Sequence, residues 1–222
     1  MYDDTWLVVP LFNEAQVIAD VITEARRTFP KIVCVDDGSG DDSAARARAA
    51  GAVVVQHPIN LGQGAALQTG FSYALQDPAM QYVVTFDSDG QHQVSDAEAM
   101  VERLRQKDVD VVFGSRFLDA RTKPGLLKRL VLRVATGMSN LFTRTRLTDA
   151  HNGLRALNRT ALTSIQIRQN RMAHASEIVA QVAKSKLRYT EVPVHVLYTE
   201  YSRAKGQSIW NSVNILTELL YR

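Results

Sequence analysis

The first half of the chain alternates short apolar runs with stretches of helical period. Trp6-Leu7-Val8-Val9-Pro10 reads as a strand, and residues 14–28 as a helix with Val17, Val21, Ile22 and Ala25 on one face. Ile32-Val33-Cys34-Val35 is a second strand, followed by an Ala-rich helix over 42–50. Ala52-Val53-Val54-Val55 gives a third strand and 62–76 a helix; Tyr82-Val83-Val84-Thr85-Phe86 gives a fourth, with a helix over 95–106. Val109-Asp110-Val111-Val112-Phe113 is the fifth. Strands separated by helices predict an α/β fold: βαβ units building a mainly parallel, Rossmann-like sheet with helices on both faces.

After residue 119 the pattern changes. Residues 124–145 form a basic, amphipathic helical stretch, 148–155 a loop and 175–186 a helix; a strand runs around Tyr189–Val196, and a C-terminal helix is expected over Ser208–Tyr221. No linker rich in Pro, Gly or Ser separates the halves, so residues 1–222 read as one domain, 1–119 and 120–222 being its two parts. In such a sheet ligands gather outside the carboxyl ends of the strands. The residues that follow the strands there are Asn13-Glu14, Asp36-Asp37, Asp87-Ser88-Asp89 and Gly114-Ser115-Arg116. They are polar, charged or glycine, and they are expected to converge.

Charge divides the chain as the pattern does. Residues 1–119 carry 9 Lys+Arg against 18 Asp+Glu, and residues 120–222 carry 17 against 5. An acidic half suits a cation; a basic half suits an anionic partner, whether nucleic acid, a lipid phosphate or an anionic membrane surface. No zinc-finger, RRM or homeodomain signature accompanies the basic residues, so nucleic acid is not expected. The one cysteine, Cys34, lies in an apolar run and reads as a buried hydrophobe, which favours a reducing compartment. The N-terminal residues carry no basic stretch or long apolar core, and no segment has the roughly 18 apolar residues a membrane span needs.

The strongest chemical signal is Phe86-Asp87-Ser88-Asp89-Gly90-Gln91-His92. Two carboxylates two residues apart at a strand mouth can share one hard cation, Mg²⁺ or Mn²⁺, that leaves positions open for phosphate oxygens. Asp36-Asp37-Gly38-Ser39 is the second: carboxylates at a strand end can accept from a base N–H or ribose hydroxyls, while Asp41 or Asp42 caps the next helix. Asn60-Leu61-Gly62-Gln63-Gly64 opens a helix whose free N–H groups favour anions.

Taken in order, these segments with Val9-Pro10-Leu11-Phe12-Asn13-Glu14 and Gly114-Ser115-Arg116 resemble family 2 glycosyltransferases. Among them they most resemble the dolichyl- and polyprenyl-phosphate mannose or glucose synthases, over about residues 5–208. The resemblance implies a GT-A fold and metal-dependent, inverting transfer of a hexose from a nucleoside-diphosphate sugar (GDP-mannose or a UDP-sugar) to a polyprenyl phosphate. It further implies that Pro10, Asn13, Glu14, Asp36, Asp37, Asn60, Gly64, Asp87 and Ser88 bind the nucleotide sugar, and that Asp87, Asp89 and Gln91 hold Mg²⁺ or Mn²⁺. Asp149-Ala150-His151-Asn152-Gly153-Leu154-Arg155 resembles the family's D-x-x-x-G-F-R segment, with Leu154 in place of Phe, and Arg203-Ala204-Lys205-Gly206-Gln207-Ser208 its R-x-x-G-x-S segment. Asp89, Arg116, Asp149 and Arg203 are thereby the catalytic candidates, and Arg116, Arg203 and Lys205 the acceptor-phosphate ligands.

A lipid-phosphate acceptor is already ionised and needs no strong base, whereas an alcohol needs one, from Asp89, Asp149 or Glu177. From Arg121 to Arg146 there are seven Lys/Arg and no acid, interleaved with an apolar stripe from Leu126 to Phe142. That stretch suits an anionic membrane surface, and Ile209, Trp210, Val213, Leu216, Leu219 and Leu220 add a second stripe. The expectation is a cytoplasmic protein at the cytoplasmic face of a membrane, attached peripherally or through a separate membrane subunit. Two other readings stay open: a family 2 transferase acting on a sugar hydroxyl, and a non-catalytic nucleotide-sugar- or nucleic-acid-binding module.

Overall fold

A computed structural model describes residues 1–119 and 126–197. The first half follows the predicted alternation: β1 (Thr5–Leu11), α1 (Ile18–Arg26), β2 (Lys31–Asp36), α2 (Ser43–Ala49), β3 (Val53–Gln56), α3 (Gln63–Ala74), β4 (Tyr82–Thr85), α4 (Val94–Arg105) and β5 (Val111–Ser115). The second half adds α5 (Leu126–Thr143), β6 (Arg155–Asn158), α6 (Arg159–Ser164), α7 (His174–Lys184) and β7 (Tyr189–Pro193). The helix expected over Ser208–Tyr221, with Arg203 and Lys205, lies outside the described residues.

Seven strands form one sheet in the order β3-β2-β1-β4-β6-β5-β7. All pairings are parallel except those of β6, which runs antiparallel to both β4 and β5. The continuous apolar runs are explained by burial on both faces. Along β1, Trp6 and Val8 join one core while Leu7, Val9 and Leu11 join the other. Ala66, Leu67 and Phe71 of α3 and Ile178, Val179 and Val182 of α7 cover the first face. Ile18, Ile22 and Ala25 of α1 and Met100, Val101 and Leu104 of α4 cover the second. Cys34 is buried there, and burial pushes its thiol pKa up to about 12.

Two differences from the sequence pattern matter for the site. Strand β6 falls partly inside the segment read as a loop; Arg-Ala-Leu-Asn is too short and too polar at its ends to show a strand period. Its antiparallel direction is decisive. It places the start of β6, Arg155, at the same sheet edge as the ends of its parallel neighbours. Strand β5 also ends two residues later than expected, so Gly114 and Ser115 belong to the strand and Arg116 stands directly at its mouth.

Candidate active site

The strand mouths open on one cavity of about 840 Å³, a size suited to a nucleotide sugar. Pro10 and Glu14 reach it from the end of β1, Asp37 from β2, Asn60 from the approach to α3, and Asp87, Ser88, Asp89 and Gln91 from the turn after β4. Arg116 reaches it from β5, and Leu132 lines it from α5. Asn13, Asp36, Gly64 and Asp149 do not line the cavity; they support the wall.

Each of these four supporters has a visible task. Asn13, at φ +53°, accepts through Oδ1 from the Gly40 N–H at 2.9 Å, so the end of β1 is tied to the turn after β2. Asp36 accepts from the Ser39 N–H and from Gln56 Nε2, linking that turn to β3. The Gly64 N–H donates to Asn170 O at 2.8 Å, fixing the start of α3 against the loop before α7. Asp149 is fully buried and clamps Arg116: Nε lies 2.6 Å from Oδ2 and Nη2 2.8 Å from Oδ1. Burial alone would raise the Asp149 pKa, but Arg116 outweighs it and the net shift is downward. A shielded carboxylate engaged twice by a guanidinium is a holder of Arg116 and not a proton acceptor for substrate. Glu177 does not line the cavity either; its Oε2 accepts the N–H groups of Arg168 and Gln169.

Asp37 lines the cavity from the end of β2. Its carboxylate accepts the Leu61 N–H at 2.9 Å and the Gly62 N–H at 2.7 Å, and Oδ1 lies 2.8 Å from His57 Nδ1. His57 Nε2 in turn meets Thr69 Oγ1 at 2.9 Å. The loop entering α3 is therefore drawn onto β2, with Gly62 at φ +106°, a conformation that glycine adopts without strain. Replacing Asp37 with alanine should release this loop and weaken nucleoside diphosphate binding at least about 10-fold, read by isothermal titration, because two loop N–H groups lose the carboxylate that holds them. Unchanged affinity would remove Asp37 from the nucleotide site.

Asp87 and Asp89 form the acidic centre. Asp87 Oδ2 lies 2.9 Å from His92 Nε2, and Oδ1 accepts from Gln63 Nε2 at 3.2 Å. Burial pushes the Asp87 pKa up, yet His92, His174 and Arg155 more than offset it and the net direction is down. At Asp89 the support, the Gln91 N–H at 3.0 Å and the more distant His92, is outweighed. Burial, then the neighbouring Asp87, raises its pKa to about 6. Burial opposes protonation of His92, but Asp87 prevails and holds its pKa up. Gly153 allows this packing: a Cβ there would lie 2.6 Å from Asp87 Oδ2.

The donor set fits Mg²⁺ or Mn²⁺ shared with a ligand. Two carboxylates share one cavity wall, the like charge is felt at Asp89, and among the described residues no group of three His, Cys, Asp or Glu could hold an ion alone. Phosphate oxygens and water would complete the shell. Gln91 lines the same wall with its Nε2 buried and unpartnered.

A pH dependence follows. With Asp89 as a ligand, a cation would displace its proton, so Mn²⁺ affinity should rise about tenfold per pH unit up to about pH 6 and level off above it. Mn²⁺ titrations at pH 5, 6 and 7.5 measure this; a flat profile would exclude Asp89 as a ligand.

His92, Gln63, His151, Asn152, Gly153, Arg155, Arg171 and His174 also line the cavity without having been assigned a role from sequence. His92 was legible in the motif that holds the two aspartates. The 151–155 group was legible as part of the segment resembling D-x-x-x-G-F-R, but its place beside Asp87 was not, because it reaches the site through the antiparallel β6.

Comparison with known proteins gives a family and a fold. The family model described as glycosyl transferase family 2 matches residues 6–165. An uncharacterised protein of Methanocaldococcus jannaschii is 33% identical, over 98% of this chain and 91% of its own. A UDP-N-acetylglucosamine–dolichyl-phosphate N-acetylglucosaminyltransferase of Methanococcus voltae is 30% identical, over 97% of this chain and 94% of its own. The crystal structure of glucosyl-3-phosphoglycerate synthase of Mycobacterium tuberculosis superposes with a TM-score of 0.75 at 20% identity, covering 99% of this chain and 80% of that one. The same enzyme in complex with Mn²⁺, UDP-glucose and phosphoglyceric acid gives 0.69, also at 20% identity, covering 99% of this chain and 79% of that one.

Proposed function

Since the chain belongs to glycosyl transferase family 2 and is a glycosyltransferase with the GT-A fold, we propose that it moves a hexose from a nucleoside-diphosphate sugar to a polyprenyl phosphate at a membrane surface. The nucleotide lies against Asp37, Asn60 and Pro10, its diphosphate beside Asp87 and Asp89. Asp87, Asp89 and Gln91 would hold a divalent cation there, which would supply positive charge against the departing diphosphate. The acceptor phosphate oxygen, ionised at neutral pH, forms the new bond to the anomeric carbon while the bond to the β-phosphate breaks and its electron pair leaves with the nucleoside diphosphate. Attack opposite the leaving group inverts the carbon. Arg116, oriented by Asp149, supplies positive charge at the acceptor end.

The observation that carries the acceptor assignment is the outward face of α5. Leu132 lines the cavity, while Leu130 (61%), Leu141 (77%) and Phe142 (72%) stand exposed with Val134, beside exposed Arg129 and Arg133. A helix that touches the active site on one side and offers apolar and cationic groups on the other suits an anionic lipid interface, where a lipid phosphate would enter. Among the described residues no helix is long and apolar enough to cross a membrane. The relative from Methanococcus voltae, whose name specifies dolichyl phosphate, supports the same acceptor class.

The decisive assay supplies radiolabelled UDP- and GDP-sugars with Mn²⁺ and, in separate arms, a short-chain polyprenyl phosphate or 3-phosphoglycerate. Lipid-linked product is expected. Product on phosphoglycerate alone, or none in either arm, overturns the assignment. The membrane component has its own test. Glutamate at both exposed positions, Leu141→Glu with Phe142→Glu, should weaken binding to vesicles containing anionic lipid about 10²-fold. Transfer to a water-soluble short-chain acceptor should persist. Equal vesicle co-sedimentation of the variant and the parent would remove α5 from the interface.

A further inference from the structure

We infer that the turn His151–Gly153, with His174 of α7 beside it, is the subsite that recognises the hydroxyl groups of the transferred sugar. The inference rests on the donor reading above, which places the diphosphate at Asp87 and Asp89. The sugar is joined directly to that diphosphate, so the groups packed against Asp87 on the cavity wall are those its ring meets. Gly153 abuts the Asp87 carboxylate, and His151, Asn152 and His174 line the same cavity.

The independent observation is where hydrogen-bonding capacity is left over. Among the described residues, six buried side-chain nitrogen or oxygen atoms lack a partner. Five of them belong to cavity-lining residues: Gln91 Nε2, His92 Nδ1, His151 Nδ1, Asn152 Nδ2 and Arg155 Nε. Buried polar groups without partners are costly, and their concentration at one cavity marks where a polyhydroxylated ligand completes the network.

The chemistry of the turn favours hydroxyls over phosphate. Asn152 Oδ1 accepts the Leu154 N–H at 2.9 Å, which fixes the amide and leaves its NH₂ unused. Burial, then Arg155, keeps His151 and His174 near a pKa of about 4, so both are neutral at physiological pH. A neutral imidazole offers one donor and one acceptor, the same complement as a sugar hydroxyl. His174 Nδ1 lies 2.7 Å from Arg171 O and so carries its proton there, which leaves Nε2 as an acceptor. Arg155 is a positioning residue. Its Nη2 donates to Ala150 O and Ala175 O and so joins the turn to α7.

The test compares each nucleoside diphosphate with its sugar conjugate by isothermal titration in Mn²⁺ without acceptor: UDP against UDP-N-acetylglucosamine, and GDP against GDP-mannose. Variants Asn152→Ala and His151→Phe are measured with the parent protein; the second keeps the ring volume should the first not fold. The expected result is that the ratio of sugar-conjugate Kd to diphosphate Kd rises about tenfold in each variant, while the diphosphate Kd stays within twofold. An equal rise in both values, or no change in either, overturns the subsite. Failure of all four nucleotides to bind the parent protein would instead overturn the donor reading, and the subsite with it.

Discussion

Changing Asp89 to asparagine is expected to lower sugar transfer at least about 10³-fold while leaving the protein no less stable than before. The loss of activity follows from the proposed role of the carboxylate, which is to hold the cation that offsets diphosphate charge as the bond breaks. The gain in stability follows from the electrostatics. The side chain is forced by burial, and then by Asp87, to a pKa of about 6 against an ordinary 3.8. A carboxyl raised in the folded state is harder to ionise there than in the unfolded chain. That penalty is absent below about pH 4, grows between pH 4 and 6, and is complete above pH 6. In metal-free buffer Asp89→Asn should therefore melt with the parent at pH 4 and at a higher temperature at pH 7.5. The amide oxygen can still accept the Gln91 N–H now bonded to Asp89 Oδ1 at 3.0 Å, so local geometry is preserved.

The two measurements test different links. Near-parental transfer by Asp89→Asn would remove the metal role whatever the melting curve did. A lower melting temperature at pH 7.5 would show the carboxylate to be a structural partner instead. Sites that store like charge for a ligand are expected to give up stability in this manner, and the change to asparagine returns it.

How much of this could be read from the sequence depends on direction and distance. The parallel half was legible because its strands are continuous apolar runs followed by polar residues, and each such ending lands at the same sheet edge. Asp37, Asp87, Asp89 and Arg116 therefore converge as expected. The reversal at β6 was not legible, since four residues cannot display a period and nothing local distinguishes parallel from antiparallel pairing. Its consequence is large, because it brings His151 to Arg155 beside Asp87, which lies more than sixty residues earlier in the chain. Burial was equally hidden. Asp36 and Asp37 are adjacent in sequence, and only tertiary structure separates the one that ties β2 to β3 from the one that lines the cavity. Residues that touch ligand and residues that hold them carry the same letters.

That distinction also governs the Arg116–Asp149 pair, whose two members separate under mutation. The pair is shielded, with Arg116 10% and Asp149 0% exposed at the side chain, and bidentate. Arg116→Met leaves the Asp149 carboxylate buried without its cation, which should cost about 3–5 kcal/mol of stability. Adding Asp149→Asn removes the stranded charge while its carbonyl oxygen can still accept the Arg116 backbone N–H, now bonded at 3.1 Å. The double variant should therefore recover most of the lost stability in a denaturant titration. Transfer should not recover: if Arg116 meets the acceptor phosphate, both variants keep nucleotide affinity close to the parent's and share a reduction of about 10²-fold or more in kcat/KM for acceptor. Return of activity together with stability in the double variant would make Arg116 a structural residue, and the positive charge at the acceptor end would have to come from elsewhere in the basic half.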